Sequence, residues 1–384
     1  MNTVFLCAET DQNETRVALV PKHVKMLCEI GYEIFVQSDA GIFVGFTDFD
    51  YKNAGAKIVN SHQDGYDKCD IIVCINKPES NISGMRERSI CISSFDVFNE
   101  NMTVHDFVYA GVRLICLDMI PHSAVTAKMD VQSSQSSLAG YYAVIQAASR
   151  IPKIFPMLYT PAGDIPAARI LVIGAGTAGL QAIATARRMG ARVVAYDPSP
   201  EREEEVESLG AKFLNFDLGS VNEFEDNNSS TLTQNQLNLL RQELSHICMH
   251  SDIVIATVNE FGRPAPLIFT QSMLSYMKPG SIVVDMAVNN GGNVEGSSPY
   301  EDTFLDNGVM IISGNKLERL VPINASDMLS GNVYAFLEHF WDEELKTFKY
   351  DADDDIISKC LITSDRKVVN PVLLRNTERN NYQL

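Results

Sequence analysis

Short apolar runs recur along the chain, separated by stretches with helical periodicity or by turn residues. TVFLCA (3–8) predicts a strand, 22–30 after Pro21 a helix, and 32–37, 71–75 (IIVCI), 89–93 and 113–117 further strands. Residues 134–151, rich in small side chains and bracketed by Pro121 and Pro152, predict a long helix suited to crossing between domains. A second series begins near Arg169, with apolar runs at 170–173, 193–196, 252–258 (DIVIATV), 281–284 before Asp285, and 310–313. Residues 325–341 then predict a second long helix that carries the chain back, and 361–363 with 368–369 the strands completing the first domain. Strands alternating with helices call for mostly parallel sheets covered on both faces. The expected fold is α/β, with two doubly wound domains linked by long helices and one inserted into the other: 1–133 plus 325–384, and 134–324. One segment, GSVNEFEDNNSSTLTQNQ (219–236), has almost no apolar residues and predicts a mobile surface insertion.

The segment RILVIGAGTAGLQAIATARRMGARVVAYD (169–197) carries the most chemistry. An apolar run reaches Gly174, Gly176 and Gly179 at G-x-G-x-x-G spacing, a small-residue helix follows, and a second apolar run ends on Asp197. Gly174 lets the chain turn sharply, Gly176 lets the backbone approach a pyrophosphate, and Gly179 lets the helix pack close to the strand. The helix N-terminus offers free N–H groups and positive dipole charge to phosphates. Asp197 stands where a carboxylate accepts hydrogen bonds from the adenosine ribose and repels the extra phosphate of NADP. The glycine spacing alone would fit any tight strand-to-helix turn. Strand, turn, helix, strand and terminal acid together predict a Rossmann-like domain that binds NAD(H).

Length and composition leave room for two domains with sizeable cores, at 384 residues and 45% hydrophobic. No stretch reaches the length of a membrane span, and no secretory signal opens the chain. A net charge of −18 argues against a nucleic-acid partner. The eight cysteines are scattered without a C-x-x-C, several of them inside apolar runs, which predicts buried reduced thiols and no metal site. His246 and His250 share one helix face but have no acidic or thiol companions, so they too predict no metal.

Other segments fall into a larger pattern: ETRVALVPKHVKML near the N-terminus, MDVQSSQSSLAGYYAVIQAASRIPKIFPML (129–158), residues 160–191, EEEVESLGAKF (203–213), GRPAPLIFT (262–270) and MKPGSIVVDMAVNNGGNVEGS (277–297). SSQSSLAGYYAV running on to FPML is far more specific than the glycine spacing. Over essentially its whole length the chain resembles the soluble NAD(H)-binding component, domain I, of the proton-translocating NAD(P)+ transhydrogenases, a family related to alanine dehydrogenase. The resemblance implies that NAD(H) binds here, between the two domains of each chain of a homodimer. It implies that NADP(H) binds a partner beta subunit, and that a membrane part of the alpha subunit helps pass protons. The chain ends at Leu384 without a hydrophobic tail, as expected of a separately encoded first portion of the alpha subunit. Such a subunit is cytoplasmic, peripheral at the inner membrane through its partners only.

Direct hydride transfer between two nicotinamides needs no acid or base, only placement of both rings and exclusion of water. The family places the NAD ring with a loop carrying an arginine, a glutamine, an aspartate and a serine. The matching stretch here, PHSAVTAKMDVQSS (121–134), has Asp130 and Ser133 in place but His122 at the arginine position and Ala127 at the glutamine position. A histidine cannot copy the planar donor fork of arginine, and alanine removes an amide contact. His122, Ala127, Asp130 and Ser133 are thus the implied ring-placing set. The implied cofactor contacts are Ser123, Ala124, Gly174, Ala175, Gly176, Thr177, Ala178, Gly179, Asp197, Pro198, Ser199, Gly262 and Met286. Gly262 lies at the tip of TVNEFGRPAP (257–266), which matches a loop that the family closes over the cofactor. Two alternatives stay open. The departures at 122 and 127 suit an NAD-binding relative without transfer, acting as a sensor or scaffold. An alanine-dehydrogenase-like enzyme would share Arg16 as a carboxylate-binding arginine. That reading meets Asn76 where a lysine should stand, and no histidine in SSFDVF (93–98).

Overall fold

The computed structural model describes residues 1–78, 82–219, 222–223, 230–259 and 262–375. The chain divides into two compact units, Met1–Gln135 with Arg319–Leu384, and Ser136–Glu318. Among the described residues, the sheet of the first unit runs in the order Lys57–Val59, Glu33–Gln37, Thr3–Leu6, Ile71–Val73, Ile90–Ser93, Arg113–Cys116, Leu361–Ser364, Lys367–Val368. Its first six strands are parallel and the last two antiparallel. The sheet of the second unit runs Lys212–Phe213, Arg192–Tyr196, Arg169–Ile173, Ile253–Ala256, Ile282–Asp285, Met310–Ser313, all parallel, and closes with antiparallel Thr303–Phe304. Numbered along the chain, the parallel strands of each unit follow the order 3-2-1-4-5-6 of the Rossmann fold.

The central strands are continuous apolar runs because both faces of the sheet are covered. Alternate residues then feed different cores. Ile170, Val172, Ile253 and Ile255 pack with Ala143, Ala147, Ala182 and Ala186. Leu171, Ile173, Val254 and Ala256 pack with Leu240, Leu244, Phe269 and Leu274. The small residues of the first core allow helices to lie close to the strands, which is what the glycine-rich turn requires.

Several boundaries differ from the sequence reading, each for a local reason. The crossover helix is Val131–Arg150 rather than 134–151, because the Asp130 carboxylate accepts the Ser133 N–H at 2.8 Å and caps it earlier. The return helix is Pro322–His339 rather than 325–341. Pro322 is preorganised for the first helical position, and Trp341–Asp342 leaves the helix to pair with Thr347–Phe348. The edge strands Lys57–Val59 and Thr303–Phe304 are too short to show a pattern. An exposed hairpin, Leu158–Thr160 with Gly163–Ile165, lies where no element was expected.

Within 219–236, residues 220–221 and 224–229 lie outside the described residues. Asn222–Glu223 pairs with Ser230–Thr231, and the end of the segment is no loop at all. Thr233 and Gln236 form a capping box for the helix Gln234–His250, and Gln236 is buried. All eight cysteines are free, seven of them buried and Cys28 partly so. Among the described residues no helix is long and apolar enough to cross a membrane.

Candidate functional site

The glycine-rich turn sits where strand order reverses in the second unit, between Arg169–Ile173 and its neighbours Arg192–Tyr196 and Ile253–Ala256. Ile173 is in register with both Tyr196 and Ala256, so Gly174, Asp197 and Thr257 all follow the same edge of the sheet. Gly174 has φ +93°, a conformation that L side chains rarely adopt. A Cβ at Gly179 would lie 1.8 Å from the Gly174 carbonyl oxygen, so the turn closes only with glycine there. Gly176 is the extended N-cap of the helix Thr177–Arg188, and a Cβ there would meet open space. That open side, beneath the unpaired N–H groups of a first helical turn, fits a pyrophosphate. Thr257 braces the turn, its hydroxyl donating at 3.1 Å to the carbonyls of Ile173 and Gly174.

Asp197 is held by two backbone donors, the Ala175 N–H at 2.7 Å and the Ser199 N–H at 2.9 Å. Burial raises its pKa and these two hydrogen bonds oppose the rise. Each carboxylate oxygen keeps a lone pair for a ribose hydroxyl. Ala175 differs from the role expected of it: its methyl is fully buried and its N–H is committed to Asp197. It positions the acid through the backbone. Ser199 uses its N–H in the same way, while Pro198 is half-buried beside it.

Beyond the next strands lie residues that the sequence reading passed over. Asp285 is fully buried and accepts N–H groups from Ala287, Asn293 and Val294 and the Ser297 hydroxyl, which shapes the segment just after Met286. The Asn293 side-chain amide donates to the Val258 and Pro266 carbonyls at 2.8 and 2.9 Å, drawing together the two ends of the 257–266 loop. Asn290 adds bonds to the Asn259 side chain and the Arg263 carbonyl. Gly262 has φ +68°, as a tight bend requires, and residues 260–261 of this loop lie outside the described residues. The only sequence signal for these anchors was the run NNGGN (289–293) after a buried acid.

In the first unit, the loop that follows Arg113–Cys116 brings the ring-placing candidates together. His122 Nδ1 lies 2.7 Å from Asp130 Oδ2, and the Ser133 hydroxyl donates to the same oxygen at 2.7 Å. Thr126, buried beneath, bonds the Pro121 carbonyl and the Ser123 hydroxyl and sets the loop's shape. Ser123, Ala124 and Ala127 are exposed. His122 thus spends one ring nitrogen on Asp130 rather than presenting a donor fork.

The same unit holds Arg16 away from solvent. Its guanidinium grips Glu14 through Nε and Nη2 at 2.7 and 2.8 Å, and Nη1 donates to Gln135. Asn76 donates to both Glu9 and Glu14, and Arg319 lies 2.9 Å from Glu14. Burial alone would raise the Glu14 pKa, but Arg16, with Arg319 and Asn76, holds it down to about 2. Among the described residues no group of His, Cys, Asp and Glu is arranged to hold a metal. His246 and His250 stack on one another at the end of their helix.

Comparison with known proteins agrees with this layout. Residues 5–139 match the alanine dehydrogenase/PNT N-terminal domain, and residues 143–371 match the C-terminal domain of the same family. The separately encoded first portion of the NAD(P) transhydrogenase alpha subunit of Rhodospirillum rubrum is 33% identical over 377 residues, 95% of this chain and 97% of that protein. The crystal structure of transhydrogenase from Sinorhizobium meliloti aligns with a TM-score of 0.84 at 36% identity, over 96% of this chain and 100% of that one. An L-alanine dehydrogenase structure shares the fold, with a TM-score of 0.81 at 22% identity over 98% of this chain and 99% of that one.

Proposed function

Because the chain belongs to the alanine dehydrogenase/PNT family, we propose that it is the NAD(H)-binding subunit of a proton-translocating transhydrogenase. The observation that carries this reading is the likeness to a transhydrogenase alpha subunit over 97% of that subunit's length. When bound, NADH supplies a hydride to NADP+ held by a partner beta subunit, leaving NAD+ and NADPH. This chain's residues bind and place. The amides of the glycine turn take the pyrophosphate, Asp197 accepts from the adenosine ribose, and Asp130 and Ser133 with His122 orient the nicotinamide. No residue moves a proton, which accords with an Arg16 crevice filled by Glu14 and an uncharged Asn76. The subunit works as a homodimer, reaching the membrane through the beta subunit and the membrane part of the alpha subunit.

A second reading, an NAD-binding relative without transfer, is favoured by one observation: His122 is engaged by Asp130 and Ala127 offers no polar group. One experiment separates the two. The purified protein is mixed with an NADP-binding beta subunit, and hydride transfer between the nicotinamides is followed. Slow transfer is expected, and His122→Arg with Ala127→Gln should raise the rate by about one to two powers of ten. NADH affinity should hardly change, since ring placement acts on the transfer step and the turn and Asp197 provide most of the binding. No transfer in either form would establish the second reading.

A further inference from the structure

Gly140 lies in the middle of the helix Val131–Arg150, where a good helix former would serve the helix better. Its environment explains the choice. A Cβ built there would stand 2.1 Å from the carbonyl oxygen of Ala178, 2.8 Å from its carbonyl carbon and 3.0 Å from its Cα. All three are backbone atoms, so no side chain can swing aside. Ala178 belongs to the first turn of Thr177–Arg188, whose N–H groups face the open side at Gly176. The same turn is closed from within by the contact between Gly179 and the Gly174 carbonyl, and braced by the Thr257 hydroxyl. Around Gly140, Ala139, Ala143 and Ala147 pack into the core shared with Ala175 and Ala182. One face of the first turn therefore rests on Gly140 without any intervening atom.

We infer that Gly140 is a positioning residue for the cofactor phosphates: its missing side chain sets the depth at which the 177–179 amides sit. It touches no cofactor itself. A methyl group at 140 pushes the Ala178 peptide toward the phosphate side and turns its N–H off line, because hydrogen bonds weaken steeply with angle. The loss is confined to ligands that use this turn. Asp197, held by Ala175 and Ser199 at the neighbouring strand end, keeps its place. The inference rests on the reading of 174–179 as a pyrophosphate site.

The test uses the full chain, with ADP-ribose as a ligand that carries the pyrophosphate and adenosine as one that lacks it. Gly140→Ala is expected to weaken ADP-ribose and NADH, measured by calorimetry, by about tenfold or more. Adenosine binding, followed by ligand-detected NMR, should stay within about twofold, a split that general loosening of the fold would not produce. Should Gly140→Ala fail to fold, Gly140→Ala with Ala178→Gly takes its place, since glycine at 178 lets the struck peptide rotate away. That double variant is expected to fold and still bind ADP-ribose about tenfold more weakly than Ala178→Gly alone. Equal ADP-ribose affinity between either variant and its parent overturns the inference. Failure of the unaltered protein to bind ADP-ribose would instead overturn the reading of the turn.

Discussion

At the scale of single residues, Asp197 shows how a strand end acquires specificity. Its carboxylate is turned toward the glycine turn by the Ala175 N–H, a bond between residues 22 positions apart. Like charges brought together cost several kcal/mol, so this carboxylate should discriminate strongly against a 2′-phosphate. Asp197→Asn is expected to narrow the preference for NADH over NADPH by roughly tenfold or more, measured as the ratio of dissociation constants. An unchanged ratio would move specificity elsewhere. The acid itself was legible in the sequence, because a carboxylate after an apolar run has few other uses. That Ala175 orients it was not, since the bond joins two backbone segments that meet only once the strands pair.

At the scale of elements, the crossover helix joins local and distant demands. Its N-cap, Asp130, is also the acceptor for His122 and for the Ser133 hydroxyl, so one carboxylate starts the helix and shapes the loop. Asp130→Ala should cost about 1 kcal/mol in urea unfolding, the usual worth of an N-cap. Hydride transfer should fall further than NADH affinity, because the loop loses its anchor while the glycine turn is untouched. Equal losses in both would assign Asp130 to binding alone. The segment 219–236 teaches the opposite lesson. Its Asn, Ser and Gln content reads as loop, yet Thr233 and Gln236 are the two halves of a capping box, and Gln236 is buried. Polarity alone does not separate a helix start from a turn, since both are rich in the same hydrogen-bonding side chains.

At the scale of the whole molecule, buried ionisable groups tie stability to pH. Glu14, ionised down to about 2 in the folded protein against 4.5 when unpaired, contributes stability that is complete above pH 4.5. It is lost as pH falls toward 2, because the unfolded chain then binds the proton first. His23 acts with the same sign at higher pH. Burial lowers its pKa from 6.5, and its Nδ1 faces the hydroxyl of Ser330, which also accepts the Val20 N–H. Its contribution is complete above 6.5 and declines as pH drops below that value. Glu9, raised by burial, opposes both, since its contribution is present below 4.5 and fades as pH rises. Thermal unfolding followed against pH should therefore show the melting temperature dropping from pH 4.5 toward 2, with a shallower drop in Glu14→Gln. Parallel curves would show that Arg16 and Arg319 do not stabilise the ionised acid.

The sequence by itself determined the parts whose physics is local. Apolar runs of strand length between helical stretches could only become covered parallel strands. Glycines at 174, 176 and 179 before an alanine-rich helix could only become a tight strand-to-helix turn, and the phrase around SSQSSLAGYYAV carried the family. Tertiary structure decided whatever depends on which segments meet. It placed Gly140 against Ala178, gave Asn293 both ends of the 257–266 loop, and filled the guanidinium of Arg16 with Glu14. A one-dimensional pattern records the periodicity and chemistry of each residue. It does not record the partner on the other side of a contact, which exists only after the sheets have formed and the backbones have closed to within a few ångströms.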